Sequence, residues 1–223
     1  MTERRTLVVR RLGTVGFEEA WDLQRELVRR RKAGEIEDQL LLLEHRSVYT
    51  FGRRGDLGHV MIDDARRREL GIELVHTDRG GDVTWHGPGQ LVGYPIIDLT
   101  PDRKDVARYV RDLEEAILRT MADFGVRGER VKGLTGVWVG REKVAAIGVR
   151  ISRWITSHGF AFNVRNSLEA YGHIVPCGIE DRGVTTLSIL AGRPIAVDEA
   201  ADRLTEHFAG VFDRAVREET HHD

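Results

Sequence analysis

DRGGDVTWHGPGQLVGYPIIDL, residues Asp78–Leu99, is the stretch around which the rest of the chain is organised. Its first half sets four glycines and a proline among Arg79, Thr84, Trp85 and His86. Its second half, Leu91–Leu99, is an apolar run of the kind a buried strand shows. Glycine has no side chain and reaches φ > 0 cheaply, so a glycine-dense loop lets backbone come close to a ligand. Glycine and proline alone describe a surface turn. Arg79, Thr84, His86 and Gln90, crowded into one loop beside a strand, add the polar groups that sites carry on rigid scaffolds.

Outward from that loop, Ile72–His76 reads as a strand leading in, and Asp63 and Asp64 can cap a short helix to Leu70. Gln39–Leu43 is a buried strand that runs into EHRSVYTFGRRGD, with a second strand before its Gly-Arg turn. Thr6–Leu12 is a short strand. Phe17, Ala20, Trp21, Gln24, Leu27 and Val28 recur at helical spacing until Gly34. Downstream, Asp105 opens the clearest helix, whose apolar face runs from Val106 to Phe124 and stops at Gly125. Val137–Val139 and Val144–Ile151 form a hairpin about Gly140, Arg141 and Glu142, and Phe160–Val164 is another strand. Arg165–Gly183 is irregular, and a last helix runs from near Asp198 to Phe212. Strands dominate the middle without regular βαβ alternation. This predicts an α+β fold, a mixed and mostly antiparallel sheet flanked by helices, in a single domain spanning 1–223.

Composition narrows the function. The 34 Lys and Arg nearly balance the 36 Asp and Glu, without the basic excess of a nucleic-acid protein. The longest apolar runs, such as Leu40–Leu43, have strand length, so no membrane span is expected. The N-terminus shows no secretory pattern, and a monomer in the cytoplasm is the expectation. One cysteine, Cys177, leaves no intrachain disulfide and no multi-cysteine metal site. No metal and no cofactor is expected: GxxxxGK[ST] is missing, and GRRGDLG and DRGGD are not GxGxxG fingerprints.

Cys177 sits in IVPCGIED, bracketed by Pro176 and Gly178. A free cysteine is ordinarily a small buried hydrophobe. Here it lies outside any periodic element, in a loop where a thiol is reachable and backbone N–H groups can face a developing oxyanion. Lys143 follows the hairpin turn, ordinarily a place for a solvated charge. Brought against Cys177, an ammonium would favour the thiolate and a desolvated amine would become a usable base. His86 in WHGPG and His158 in SHGF are rival bases for a Cys–His arrangement.

Four blocks together resemble the octanoyltransferases of lipoate biosynthesis. LEHRSVYTFGR resembles the family's LEH-x-x-VYT-x-G element, and the 78–99 stretch matches its RGG-x-x-T-x-H-x-PGQ-x-V-x-Y signature. GREKVAAIGVRISRWITSHGFAFNV resembles its K-[IV]-A-[AS]-IG…HG-x-A-[LF]-N segment, and IVPCGI the segment holding its cysteine. The likeness runs from about Leu43 to Leu187. It departs at Arg46 and Ser47, where two prolines are common, and at Thr186, where serine is usual.

The resemblance implies the fold of the biotin and lipoate protein ligase catalytic domains. It implies Cys177 as the nucleophile carrying an acyl thioester, and Lys143 as the group that sets its pKa and shuttles protons. Arg79, Gly80, Gly81, Asp82, Val83, Thr84, Trp85 and His86 would line the acyl site with Ala146, Ile147, Gly148, Gly159, Phe160 and Ala161. Glycines such as Gly148 would admit the chain. The donor would be an acyl carrier protein. The acceptor would be a lipoyl domain of a 2-oxoacid dehydrogenase E2 subunit or of the glycine cleavage H protein. Both partners are acidic in the family, so a docking face is expected from among Arg53, Arg54, Arg79, Arg150 and Arg153. The competing readings are an ATP-dependent lipoate or biotin ligase on the same fold, a non-catalytic acyl-carrier-binding protein, and a Cys–His thioesterase.

Overall fold

The computed structural model describes residues 4–175 and 182–219. In chain order it contains β1 (Arg5–Val15), α1 (Phe17–Lys32), β2 (Asp38–His45), β3 (Val48–Phe51), α2 (Asp64–Glu69), β4 (Glu73–His76), β5 (Val83–His86) and β6 (Gln90–Ile96). It continues with α3 (Val106–Asp123), β7 (Glu129–Val131), β8 (Leu134–Val139), β9 (Glu142–Ser152), β10 (Ile155–Asn163), β11 (Gly183–Val184), α4 (Leu187–Ala191), α5 (Val197–Phe212) and β12 (Arg214–Glu219). The large sheet runs β12-β1-β2-β6-β10-β9-β8-β7, with β11 beside β9, and a small sheet runs β4-β3-β5. The antiparallel pairs β2–β6, β6–β10, β10–β9 and β9–β8 form its centre. The α+β expectation holds.

Leu40–Leu43 shows why the central strands are apolar throughout. Side chains alternate faces along a strand. Leu40 and Leu42 join the core under α3 and α5, while Leu41 and Leu43 join the one under α1. Leu91 and Val92 divide in the same way. Both faces of the large sheet are therefore covered, and each fully buried Leu contributes about 1.5–3 kcal/mol. A third core, with Tyr49, Phe51, Trp85 and Tyr171, backs the small sheet.

Two of the elements that differ from the sequence expectation show why. The glycine-dense half of the 78–99 stretch is not all loop, because Val83–His86 pairs antiparallel with β3 (Tyr49↔Trp85, Thr50↔Thr84). Helical periodicity ends at Phe212, yet β12 follows and pairs parallel with β1 from Arg5↔Arg214 to Arg10↔Glu219. Its residues are mostly exposed and charged, so no apolar alternation marks it. Backbone pairing and cross-strand ions such as Arg10–Glu219, 2.5 Å, hold it instead.

Where β1, α1, β2 and β12 meet, the Asp38 carboxylate is fully buried under three guanidiniums. Arg5 lies at 3.1 Å, Arg31 at 2.9 Å and Arg214 at 2.9 Å, and the Asp98 N–H donates to the same carboxylate at 3.0 Å.

Candidate active site

The signature loop is held from inside by its own arginine. Arg79 is buried, and its Nη2 donates to Thr50 O at 2.6 Å, to Thr50 Oγ1 at 3.0 Å and to Asp82 O at 2.8 Å. The loop backbone then lies flat on two glycines. A Cβ at Gly52 would come within 2.3 Å of Gly81 O, and one at Gly148 within 2.9 Å of Gly80 O. Gly80 N donates to Val149 O at 3.0 Å, which ties the loop to β9. At Gly148 the missing side chain thus makes room for the loop. Gly148→Val is expected to push the loop off β9 and lower stability by about 1–3 kcal/mol, the usual cost of overpacking. A denaturant midpoint equal to wild type would show that the loop yields freely.

Between this loop, β9 and β10 lies a cavity of about 430 Å³. Arg79, Gly80, Gly81, Asp82, Val83, Thr84, His86, Lys143, Ala146, Ile147, Gly148, Gly159, Phe160 and Ala161 all border it. Trp85 does not. It follows Thr84 in strand alternation, so it points away into the third core and donates from Nε1 to Ser47 Oγ at 2.9 Å. Phe17, Tyr94, Asn163 and Tyr171 also border the cavity. Helical spacing marks Phe17 only as a core-facing position, and Tyr171 lies in a stretch without periodicity, whereas Tyr94 and Asn163 are the closing residues of two of the quoted motifs.

His86 is buried and both its nitrogens are engaged. Nδ1 lies 2.8 Å from Gln90 Oε1 and Nε2 lies 3.3 Å from Thr50 Oγ1. Because the amide oxygen only accepts, Nδ1 carries the proton and Nε2 receives the Thr50 hydroxyl. Gln90 passes the chain on, donating to Asn163 Oδ1 at 3.0 Å and to Tyr171 OH at 2.9 Å. Burial, and then the neighbouring His45, hold the His86 pKa well below the usual imidazole value. His158, with Nε2 2.8 Å from Asp78 Oδ1, is also lowered, by burial first.

His45 has its Nε2 2.7 Å from Tyr94 OH, and burial lowers its pKa to about 4. A histidine whose folded pKa lies below its unfolded value binds its proton more readily in the unfolded chain. Its stabilisation is complete above about pH 6.5 and is lost as the pH falls toward 4. The unfolding free energy is expected to drop over that window by about 1.4 kcal/mol per pH unit for each such histidine. A flat profile from pH 7 to 4.5 would show that these imidazoles are not held neutral.

Lys143 stands at the start of β9, its Nζ 4.7 Å from the centre of the Trp138 ring. Val184 lies opposite Lys143 in the β11–β9 pair, and Thr185 N donates to Lys143 O at 3.0 Å. On the other side, Val175 N donates to His59 O at 2.9 Å, and His59 Nδ1 lies 2.7 Å from Asp82. The chain on both sides of 176–181 is thus anchored beside the cavity, which Tyr171 and Val184 border. Cys177 itself lies outside the described residues. Among the described residues, no group of three or more His, Cys, Asp or Glu is placed to hold a metal, and no helix is long and apolar enough to cross a membrane.

Residues 17–209 match the family model of the lipoyl protein ligase A/B catalytic domain. The chain is 53% identical over 216 residues to an octanoyltransferase of Rubrobacter xylanophilus, covering 95% of this chain and 97% of the relative. It is 49% identical over 209 residues to that of Solibacter usitatus, covering 94% of each. The chain belongs to the octanoyltransferase family. It is therefore an acyltransferase by descent, and the resemblance read from its four blocks extends over nearly its whole length. The family's fold reaches further. A bipartite lipoate protein ligase of Thermoplasma acidophilum superposes with a TM-score of 0.77 at 18% identity, covering 99% of this chain and 88% of that one. A biotin protein ligase of Aquifex aeolicus superposes with a TM-score of 0.53 at 12% identity, covering 95% and 70%.

Proposed function

We propose that this chain moves an octanoyl group from the thioester of an acyl carrier protein, through Cys177, to the lysine of a lipoyl domain. The acceptors would be the E2 subunits of 2-oxoacid dehydrogenases or the glycine cleavage H protein. The observation that carries the reading is the near full-length identity to octanoyltransferases, 53% in one relative. A cavity bordered by Lys143 and by apolar residues of the loop and of β9 and β10 supports it.

The chemistry needs no nucleotide. The Cys177 thiolate attacks the donor carbonyl, and the carrier thiol leaves with a proton given by the Lys143 ammonium, which becomes the free amine. A thioester replaces a thioester, so this step is nearly isoenergetic. The acceptor amine then attacks the acyl-enzyme, Cys177 leaves as thiolate, and the amine gives up a proton to Lys143. An amide replaces a thioester, which drives the reaction forward. Splitting the transfer into two easier steps is ordinary covalent catalysis. Burying the chain, at about 0.8 kcal/mol per CH₂, gives the cavity a means of measuring length.

Intact mass after mixing with octanoyl carrier protein, without ATP, tests this. An octanoyl adduct that vanishes on adding a lipoyl domain is the expected result. Octanoylation appearing only with ATP and free octanoate would move the chain to the ligase class.

Docking of acidic partners would fall to Arg53, Arg54 and Arg153, which are exposed, and to Arg150. Arg79, expected on the same face, is a buried brace of the loop. Steering by exposed charge weakens with salt, so the transfer rate is expected to fall as ionic strength rises. A rate flat from low to high salt would remove these arginines from docking.

A further inference from the structure

We propose that a pocket between α1 and the β9–β10 hairpin is a second binding site, one for a phosphate-class oxyanion, adjoining the acyl cavity. It measures about 270 Å³ and is bordered by Trp21, Gln24, Arg25, Arg29, Lys32 and Arg150, among others. Its floor is a built donor. Gln24 is 1% exposed, and its Oε1 accepts the His158 N–H at 2.8 Å, which fixes the amide's orientation. The Nε2 end is buried with no hydrogen-bond partner. Buried polar atoms in native proteins are nearly always satisfied, so an orphaned N–H₂ in the wall of a basic pocket points to an absent acceptor.

The charges around it have the right sign. Arg25 meets Asp22, Arg29 meets Glu26 at 2.8 Å, and Arg150 meets Asp78 at 2.6 Å. Lys32 donates to the Ser152 hydroxyl at 3.0 Å, and neither it nor Arg153 has a carboxylate partner among the described residues. The Lys32 amine is pushed down from its ordinary pKa by desolvation and then by Arg153 and Arg150. An anion seated among these groups would relieve that repulsion.

The pocket is wired to the acyl cavity. Asp78 bonds Arg150 on one side and His158 on the other, and His158 borders the cavity. Val149 and His158 face the cavity next to Arg150 and Ser157, which face the pocket. The identity of the ligand rests on the function proposed above. The flexible thioester arm of an acyl carrier ends in a phosphodiester, and a donor whose acyl end enters the cavity would bring that group to the same surface.

The test titrates the whole chain with inorganic phosphate, phosphopantetheine and pantetheine, and measures transfer from their octanoyl thioesters. Phosphopantetheine is expected to bind about tenfold tighter than pantetheine, the worth of one charge-assisted hydrogen bond. Lys32→Gln should erase that preference and lower the ratio of kcat/KM for the phosphorylated over the unphosphorylated donor by about tenfold. Gln24→Leu, with its melting midpoint checked, should do the same. Equal binding of both arms by wild type, or a ratio unmoved by Lys32→Gln, overturns the site. So does inorganic phosphate binding without any preference for the phosphorylated arm, or an effect seen only with the intact carrier, which would place the contact on carrier carboxylates. Titration needs no turnover. An intact phosphate preference in a chain that transfers no octanoyl group would overturn the function proposed and leave this site standing.

Discussion

Cys177→Ser is expected to lower octanoyl transfer by about a thousandfold or more, with the fold unchanged. Removing an enzyme's nucleophile costs losses on this scale or larger. Serine keeps the size of the side chain, but its hydroxyl does not ionise near neutrality, whereas a thiol with an ordinary pKa of about 8.5 needs only modest help. That help is assigned to Lys143. Lys143→Ala should slow both half-reactions by about 10²–10⁴, the range of general acid–base catalysis. Lys143→Arg should not rescue them, because a guanidinium does not release its proton. Rapid-quench measurement of adduct formation and discharge reads both steps. A Lys143→Ala enzyme with normal rates, or an adduct persisting in Cys177→Ser, would return the thiol to a structural role. The geometry already weighs against the His86 thioesterase. Both of its ring nitrogens are committed to Gln90 and Thr50, and its pKa is held well below the usual range.

Asp38→Ala is expected to cost about 3–5 kcal/mol of folding stability, the scale seen when one partner of a buried ion pair is removed. The substitution would leave Arg5, Arg31 and Arg214 facing one another with no anion between them. Arg214 is the most exposed to this loss, being itself buried and bonded through Nε to Asp38. The measurement is the urea midpoint at constant m value. A loss under about 1 kcal/mol would mean that the guanidiniums turn to the nearby carboxylates. Arg31 already has Asp98 at 3.7 Å, and Arg214 has Asp102 at 3.9 Å. Because this cluster joins β1, α1, β2 and β12, the loss should be global.

Much of this architecture was legible because its elements have one periodic face or none exposed. The spacing from Val106 to Phe124 gives α3 within a residue, and Asp105 caps it, accepting from Arg108 N at 3.0 Å. Other elements left no such trace. β12 is charged and exposed, and takes its strand form from the edge of β1. The first half of β10, Ile155–Gly159, is polar enough to hide, and its turn uses Arg153 and Trp154 at φ 51° and 65°, where Gly or Asn is the usual signal. At the site, the motif found the loop, but not which way each side chain turns. Trp85 was grouped with its neighbours because a motif runs along the sequence, while a strand alternates. Arg79 looked like a docking charge because nothing in the sequence shows that Thr50 waits beneath it.

The run of contacts from Arg79 through Thr50, His86 and Gln90 to Asn163 and Tyr171 has a consequence for how the family can change over time. It stitches the small sheet to the large one through groups that each have a fixed donor or acceptor role. A single replacement strands its neighbours, so these positions should tolerate change only in matched sets. Exposed positions such as Arg53, Arg54 and Arg153 lie outside that run. Such positions can change one at a time, while the seam has to change as a set.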